Sequence, residues 1–171
     1  MALRLLILTG VRSFALRHIK VDQVIDQIWT IPGENMKATV DKPSDFRVPL
    51  SNQASEVIQL ALPFATNGYL FPGVKRGVIS DATMSRMMKR RGMHERPHGF
   101  RSSLRTWQAD CTDTPEEVGE AILSHSLGNN VVKAYRRTDF FEQRAILMQR
   151  WADHVTGVSN IKNLILPISS K

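Results

Sequence analysis

Residues 96–107 read RPHGFRSSLRTW. Pro97 and Gly99 mark a turn and the residues after them have a helical pattern. His98 and Arg101 therefore stand three apart where a loop becomes a helix, with Arg105 one turn further on. The start of a helix attracts anions through its amides and its dipole. An imidazole beside guanidiniums adds side-chain donors that suit a phosphate. Arg12 after the first helical stretch, Lys37 in a polar connection, and His125 and Tyr135 within LSHSLGNNVVKAYRR extend the set. Each alone has an ordinary reading: a structural histidine, an arginine paired with a carboxylate, a loop lysine, an interface aromatic.

Together these residues have a chemical logic. Cleaving a phosphodiester builds charge on the non-bridging oxygens of a five-coordinate phosphorus, and either metal ions or guanidinium and imidazole groups can neutralise it. The chain has 16 Asp and Glu and offers no His–carboxylate cluster with ligand-like spacing, so the cationic route is the available one and no cofactor is implied. A Tyr hydroxyl, with a free pKa of about 10, becomes a nucleophile beside a base or in a field of positive charge. A Lys can protonate the leaving hydroxyl.

Composition points to the same class of partner. In 171 residues, 23 Lys and Arg against 16 Asp and Glu leave a net charge of +7. A fold does not require that excess, which suits a polyanion: nucleic acid first, an anionic membrane surface second. Cys111 is the single cysteine, which excludes an internal disulfide and fits a reducing cytoplasm. The opening MALRLLILTG is interrupted by Arg4 and runs into TGVR without a cleavage pattern, so it reads as the end of a core helix and not as a signal peptide. No stretch approaches the ~20 apolar residues of a membrane span. A start at full hydrophobicity is expected of a piece of a longer protein.

The elements that must position these residues are predicted as follows. Leu3, Leu5, Leu6, Ile7 and Leu8 make a buried helix ending at Thr9-Gly10. Ile28–Ile31 and Phe46–Ser51 form a β-hairpin with Lys37 in or near its connection, and Tyr69-Leu70-Phe71 adds a short third strand. Helices are expected over Gln53–Leu62, over Asp81–Arg91 with Met84, Met87 and Met88 packing inward, and over Phe100–Cys111. Thr114-Pro115-Glu116-Glu117 reads as a capping box that starts a helix running through Leu123. A short helix is expected over Asn129–Arg137. A long amphipathic one follows over Phe140–Val155, with Phe141, Ala145, Leu147, Met148, Trp151 and Val155 on its apolar side. The fold class is mainly α with a small antiparallel β-sheet (α+β).

The segments TGVR (9–12), IPGENMK (31–37), RVPLS (47–51), HGFRSSLRTW (98–107), LSHSLGN (123–129) and AYRRTDFFEQR (134–144) resemble, in order, the catalytic domain of tyrosine recombinases, nearest to phage and genomic-island integrases. The resemblance implies that Arg12 and Arg101 bind the scissile phosphate and that His98 accepts the tyrosine proton. It further implies that His125 hydrogen-bonds a phosphate oxygen, that Lys37 is the general acid on the leaving 5′-hydroxyl, and that Tyr135 attacks to give a 3′-phosphotyrosyl link. It departs from the family pattern at Ala15, where an acidic residue is usual.

The same resemblance implies a catalytic domain over residues 1–157, with N-terminal DNA-binding domains absent from this chain. Residues 158–171 become a tail that docks in cis or in trans. The implied partners are double-stranded DNA attachment sites, a homotetramer of the full-length enzyme on DNA, and accessory DNA-bending or directionality proteins, with no membrane. The implied location is the bacterial cytoplasm, on the nucleoid. Two other readings stand beside recombination: a DNA-binding remnant or regulator with impaired catalysis, and a type IB topoisomerase-like enzyme.

Overall fold

A computed structural model of the chain describes residues 1–36, 44–74, 77–124 and 139–158. The expected helix over Asn129–Arg137, the tail beyond Val158, and Lys37, His125 and Tyr135 lie outside the described residues.

Helix α1 (Ala2–Thr9) is apolar on nearly every side because it is the central element. Leu5, Leu6 and Leu8 belong to one core, and Ile7 packs into a second one. Its end is fixed twice. Gly10 takes the left-handed φ of 63° and donates its N–H to Leu6 O, while Thr9 Oγ1 bonds Leu5 O at 2.7 Å. After the short helix α2 (Ser13–Arg17), the chain enters a three-stranded antiparallel sheet of order β1 (Val24–Ile25), β2 (Ile28–Ile31), β3 (Phe46–Pro49). Trp29 pairs with Val48 and Ile31 with Phe46. Trp29, Ile31 and Val48 are buried, as period-two alternation requires.

The third strand is β1 and not Tyr69–Phe71, which corrects the sequence reading. Tyr69 makes only isolated bridges, to Lys20 and Thr66. β1 escapes notice because it is two residues long and its turn, Asp26-Gln27, carries positive φ at both positions without a glycine.

Helix α3 (Asn52–Ala61) is capped by Ser51, whose Oγ accepts from Ala54 N at 3.2 Å, so β3 ends earlier than the expected Ser51. Helix α4 (Ala82–Arg90) buries Met84 and Met88 as expected and stops before Gly92, φ 76°. Helices α5 (Gly99–Cys111), α6 (Glu116–Ile122) and α7 (Phe141–Thr156) enclose the second core of Leu104, Val118, Ile122, Leu147, Met148 and Trp151. Trp151 Nε1 donates to Ile7 O at 2.8 Å and ties that core to α1.

Two further corrections concern α6 and α7. The expected capping box is not formed: Pro115 occupies the N-cap position with no side-chain cap bond. Thr114 therefore stands one residue before the cap position, and its main-chain carbonyl accepts from the buried Gln108 Nε2 at 2.7 Å, which joins α5 to this turn. On α7, Val155 is exposed, and the buried face includes Arg144, a charged residue that a hydrophobicity pattern assigns to solvent.

Candidate active site

The loop after α1 and the start of α5 come together. Arg12, the N-cap residue of α2, and Arg101, in the first turn of α5, line one cleft although they are far apart in sequence. Val11, Ala15, Ile31 and Phe46 form its apolar wall, and Met36 and Ser124 also line it. Arg101 is 5% exposed, and backbone carbonyls aim it. Nη1 donates to Gly10 O, and Nη2 donates to Leu123 O at 2.8 Å. One acceptor lies at the C-cap of α1 and the other at the C-cap of α6, positions where helices leave carbonyls unpaired.

Burial first, and then the charge of Arg12, lower the pKa of Arg101 to about 10, while Glu120 acts in the opposite sense. Arg101 therefore remains cationic at neutral pH. The cleft holds two guanidiniums that raise each other's energy, an arrangement that a bound anion relieves. Ala15 is buried in this wall, so the position where the resemblance expects an acid contributes a methyl group.

His98 occupies the N-cap position of α5, one turn before Arg101, and is exposed. It is not among the residues that line the cleft. No acidic residue occupies the first turn of α5, so the positive end of its dipole is not offset there. Arg105 turns away from the site suggested by its spacing. Its guanidinium bonds Glu120 at 2.6 Å, Glu116 at 2.7 Å and Gln108 at 2.7 Å, which locks α5 to α6. Lys37, His125 and Tyr135 lie outside the described residues. Met36 and Ser124, which immediately precede Lys37 and His125 in the chain, are on the cleft.

The groups that the sequence could not reveal are the Gly10 and Leu123 carbonyls, since every residue carries one and only tertiary packing selects which of them meets Arg101.

No family model matches the chain. It is 34% identical to the prophage integrase IntA of Escherichia coli (strain K12) over 137 residues, 77% of this chain and 32% of that protein. It is 31% identical to the integrase of Enterobacteria phage P4 across 90% of this chain and 39% of that protein. The chain thus spans between 32% and 39% of the length of these curated relatives. Among solved structures, XerA recombinase matches with a TM-score of 0.54 at 20% identity, over 80% of this chain and 57% of that one. XerH site-specific recombinase, bound to its difH substrate in a pre-cleavage complex, matches with a TM-score of 0.51 at 17% identity, over 85% of this chain and 44% of that one. The chain is a homologue of phage and prophage integrases, and its described residues carry the tyrosine recombinase fold.

Proposed function

We propose that this chain is the catalytic portion, over residues 1–157, of a site-specific tyrosine recombinase that integrates or excises a prophage or genomic island. The observation that carries the reading is the cleft itself, where Arg12 and a carbonyl-aimed Arg101 meet beside the residues that precede Lys37 and His125. In the reaction, Tyr135 Oη attacks the scissile phosphorus and the bond to O5′ breaks. His98 takes the tyrosine proton and Lys37 protonates the leaving 5′-hydroxyl. Arg12, Arg101 and His125 stabilise the charge on the non-bridging oxygens. The 3′-phosphotyrosyl link conserves the phosphodiester energy, so a second 5′-hydroxyl can rejoin the strand without ATP.

The partners on this reading are double-stranded attachment sites, with a homotetramer of the full-length enzyme and accessory bending or directionality proteins assembled on the DNA at the nucleoid. Among the described residues no helix is long and apolar enough to cross a membrane. The integrase names of the relatives favour recombination over a topoisomerase-like activity or a catalytically impaired regulator.

The test uses a pool of nicked duplexes of randomised sequence at low salt, with covalent adducts captured in SDS and sequenced. The expected result is an SDS-resistant adduct that Tyr135→Phe abolishes. An adduct that survives Tyr135→Phe would move the nucleophile elsewhere, and supercoil relaxation without strand exchange would favour the topoisomerase.

A further inference from the structure

Arg144 is the one buried cation among the described residues, other than Arg101, and the reaction above makes no use of it. It is 1% exposed. Nη2 donates to Arg47 O, Nη1 donates to Asp139 O at 3.2 Å, and Asp139 Oδ2 lies 3.7 Å from Nη1. The guanidinium carbon sits 4.6 Å from the ring centre of Phe46. Arg47 closes the arrangement, donating from Nη2 to Asp139 Oδ2 at 2.8 Å and stacking 4.6 Å from the Phe141 ring centre. Asp139 Oδ1 accepts from Phe141 N at 3.2 Å at the start of α7. Between them, Phe140 takes a left-handed φ of 54° without being glycine.

Burying a guanidinium costs free energy that its bonds only partly offset, and an apolar cluster replacing Arg144 and Asp139 together would avoid that cost, whereas removing one partner alone strands the other. The buried Arg144 Nε has no hydrogen-bond partner among the described residues, which adds to the cost. What a guanidinium supplies and a Leu does not is direction. Its planar fork fixes the main chain at residue 139 against the main chain at residue 47. The left-handed Phe140, which costs about 1 kcal/mol, persists because both of its neighbours are held.

We infer that Arg144 and Asp139 are positioning residues for strand cleavage, clamping to β3 the main chain at residue 139, four places after Tyr135. The inference rests on Tyr135 being the nucleophile. Tyr135 lies four residues before Asp139. Four residues reach at most about 14 Å, so an anchored residue 139 confines the Tyr135 Cα to that radius. The clamp thus bounds the segment of the proposed nucleophile, where a misplacement of about 1 Å costs on the order of 10²-fold in rate.

The experiment compares wild type, Asp139→Asn, Asp139→Glu and Arg144→Lys in single-turnover adduct formation on the nicked duplexes captured from the randomised pool, beside amide hydrogen exchange without DNA. Asp139→Asn and Arg144→Lys should lower the rate constant about tenfold or more, at full amplitude and unchanged DNA affinity. Asp139→Glu, which keeps the charge, should recover part of the rate. An unchanged rate constant with lost amplitude would reduce the clamp to a purely structural element and overturn the inference. Exchange at the Phe141 and Arg144 amides should quicken in both Asp139→Asn and Arg144→Lys. Unaltered exchange would overturn the clamp whether or not any adduct forms, whereas failure of wild type to form adduct, with exchange quickened as expected, would overturn the proposed function and with it the clamp's role in cleavage, leaving only the clamp's geometry standing.

Discussion

Arg101 and Arg144 are nearly equally buried, and in both burial is the largest influence on a pKa lowered to about 10. Their next influences have opposite signs. For Arg101 it is the cation Arg12, which lowers the pKa further, with Glu120 opposing less strongly. For Arg144 it is the carboxylate of Asp139, which raises the pKa, with Arg47 opposing. The first arginine lines a small cleft that Arg12 also lines; the second is sandwiched near Phe46 and Phe141 against its own carboxylate. The same side chain at the same burial therefore serves two ends. A like charge beside a buried cation adds to the cost of its burial, and a carboxylate beside one offsets part of it.

The sharpest way to break this comparison is to delete each guanidinium. Arg101→Met should lower the rate of adduct formation by ~10²-fold or more, as for the loss of one oxyanion donor. Its thermal cost should be moderate, because relief of the Arg12 repulsion partly offsets the two carbonyls left behind. A change in rate below a few-fold would remove Arg101 from the site. Arg144→Met should show the reverse emphasis in thermal unfolding, losing about 2–4 kcal/mol of stability through the broken clamp. A loss there smaller than that of Arg101→Met would erase the contrast.

Gly10→Ala tests whether Arg101 is aimed by the backbone. A Cβ at Gly10 would stand 2.6 Å from Leu104 Cδ2, and the backbone φ is +63°. The expected cost is about 1–3 kcal/mol in thermal unfolding, with a slower cleavage step because the carbonyl that holds Arg101 moves. A variant that kept wild-type rate would separate that carbonyl from function.

The smallest effect concerns acid. Burial acts to raise the pKa of Asp139, but the hydrogen bond from Arg47, with the charges of Arg47 and Arg144, outweighs it and holds the carboxyl below the ordinary value. A carboxyl whose folded pKa is depressed stabilises fully above the unfolded pKa of about 3.9, and that stability is lost as pH falls through the folded value. Asp139→Asn should therefore flatten the fall in stability below about pH 4. An identical acid profile in wild type and variant would show that the clamp charge contributes nothing.

Of the candidate site, the pairing of Arg12 with Arg101 is what the described residues bring together, and the sequence offered both by side-chain type and local spacing. HGFR at the start of a helix, TGVR at the end of another, and the Met and Leu stripes are visible without coordinates, and the helices formed where those patterns ran. The failures share a cause. β1 is too short for a pattern and turns without glycine, and the helix after Thr114 starts one residue later than the capping box requires, with Pro115 at its N-cap. Arg105 has the spacing of a phosphate ligand, yet it faces α6 because the next helix folds back and brings Glu116 and Glu120 against it.

The sequence by itself determined the inventory of cations, the net charge of +7, the helical framework and the family resemblance, all of which follow from residue identity and near-neighbour periodicity. Only the tertiary structure decided which cations meet. Arg12 and Arg101 line one cleft because the Gly10 carbonyl at the end of α1 receives the Arg101 guanidinium of α5, Arg105 is spent on joining two helices, and Arg144 lies inside against Asp139. Charge on a side chain is a local property. Whether that charge faces a ligand or a partner within the fold depends on packing between elements distant in sequence, which no local pattern encodes.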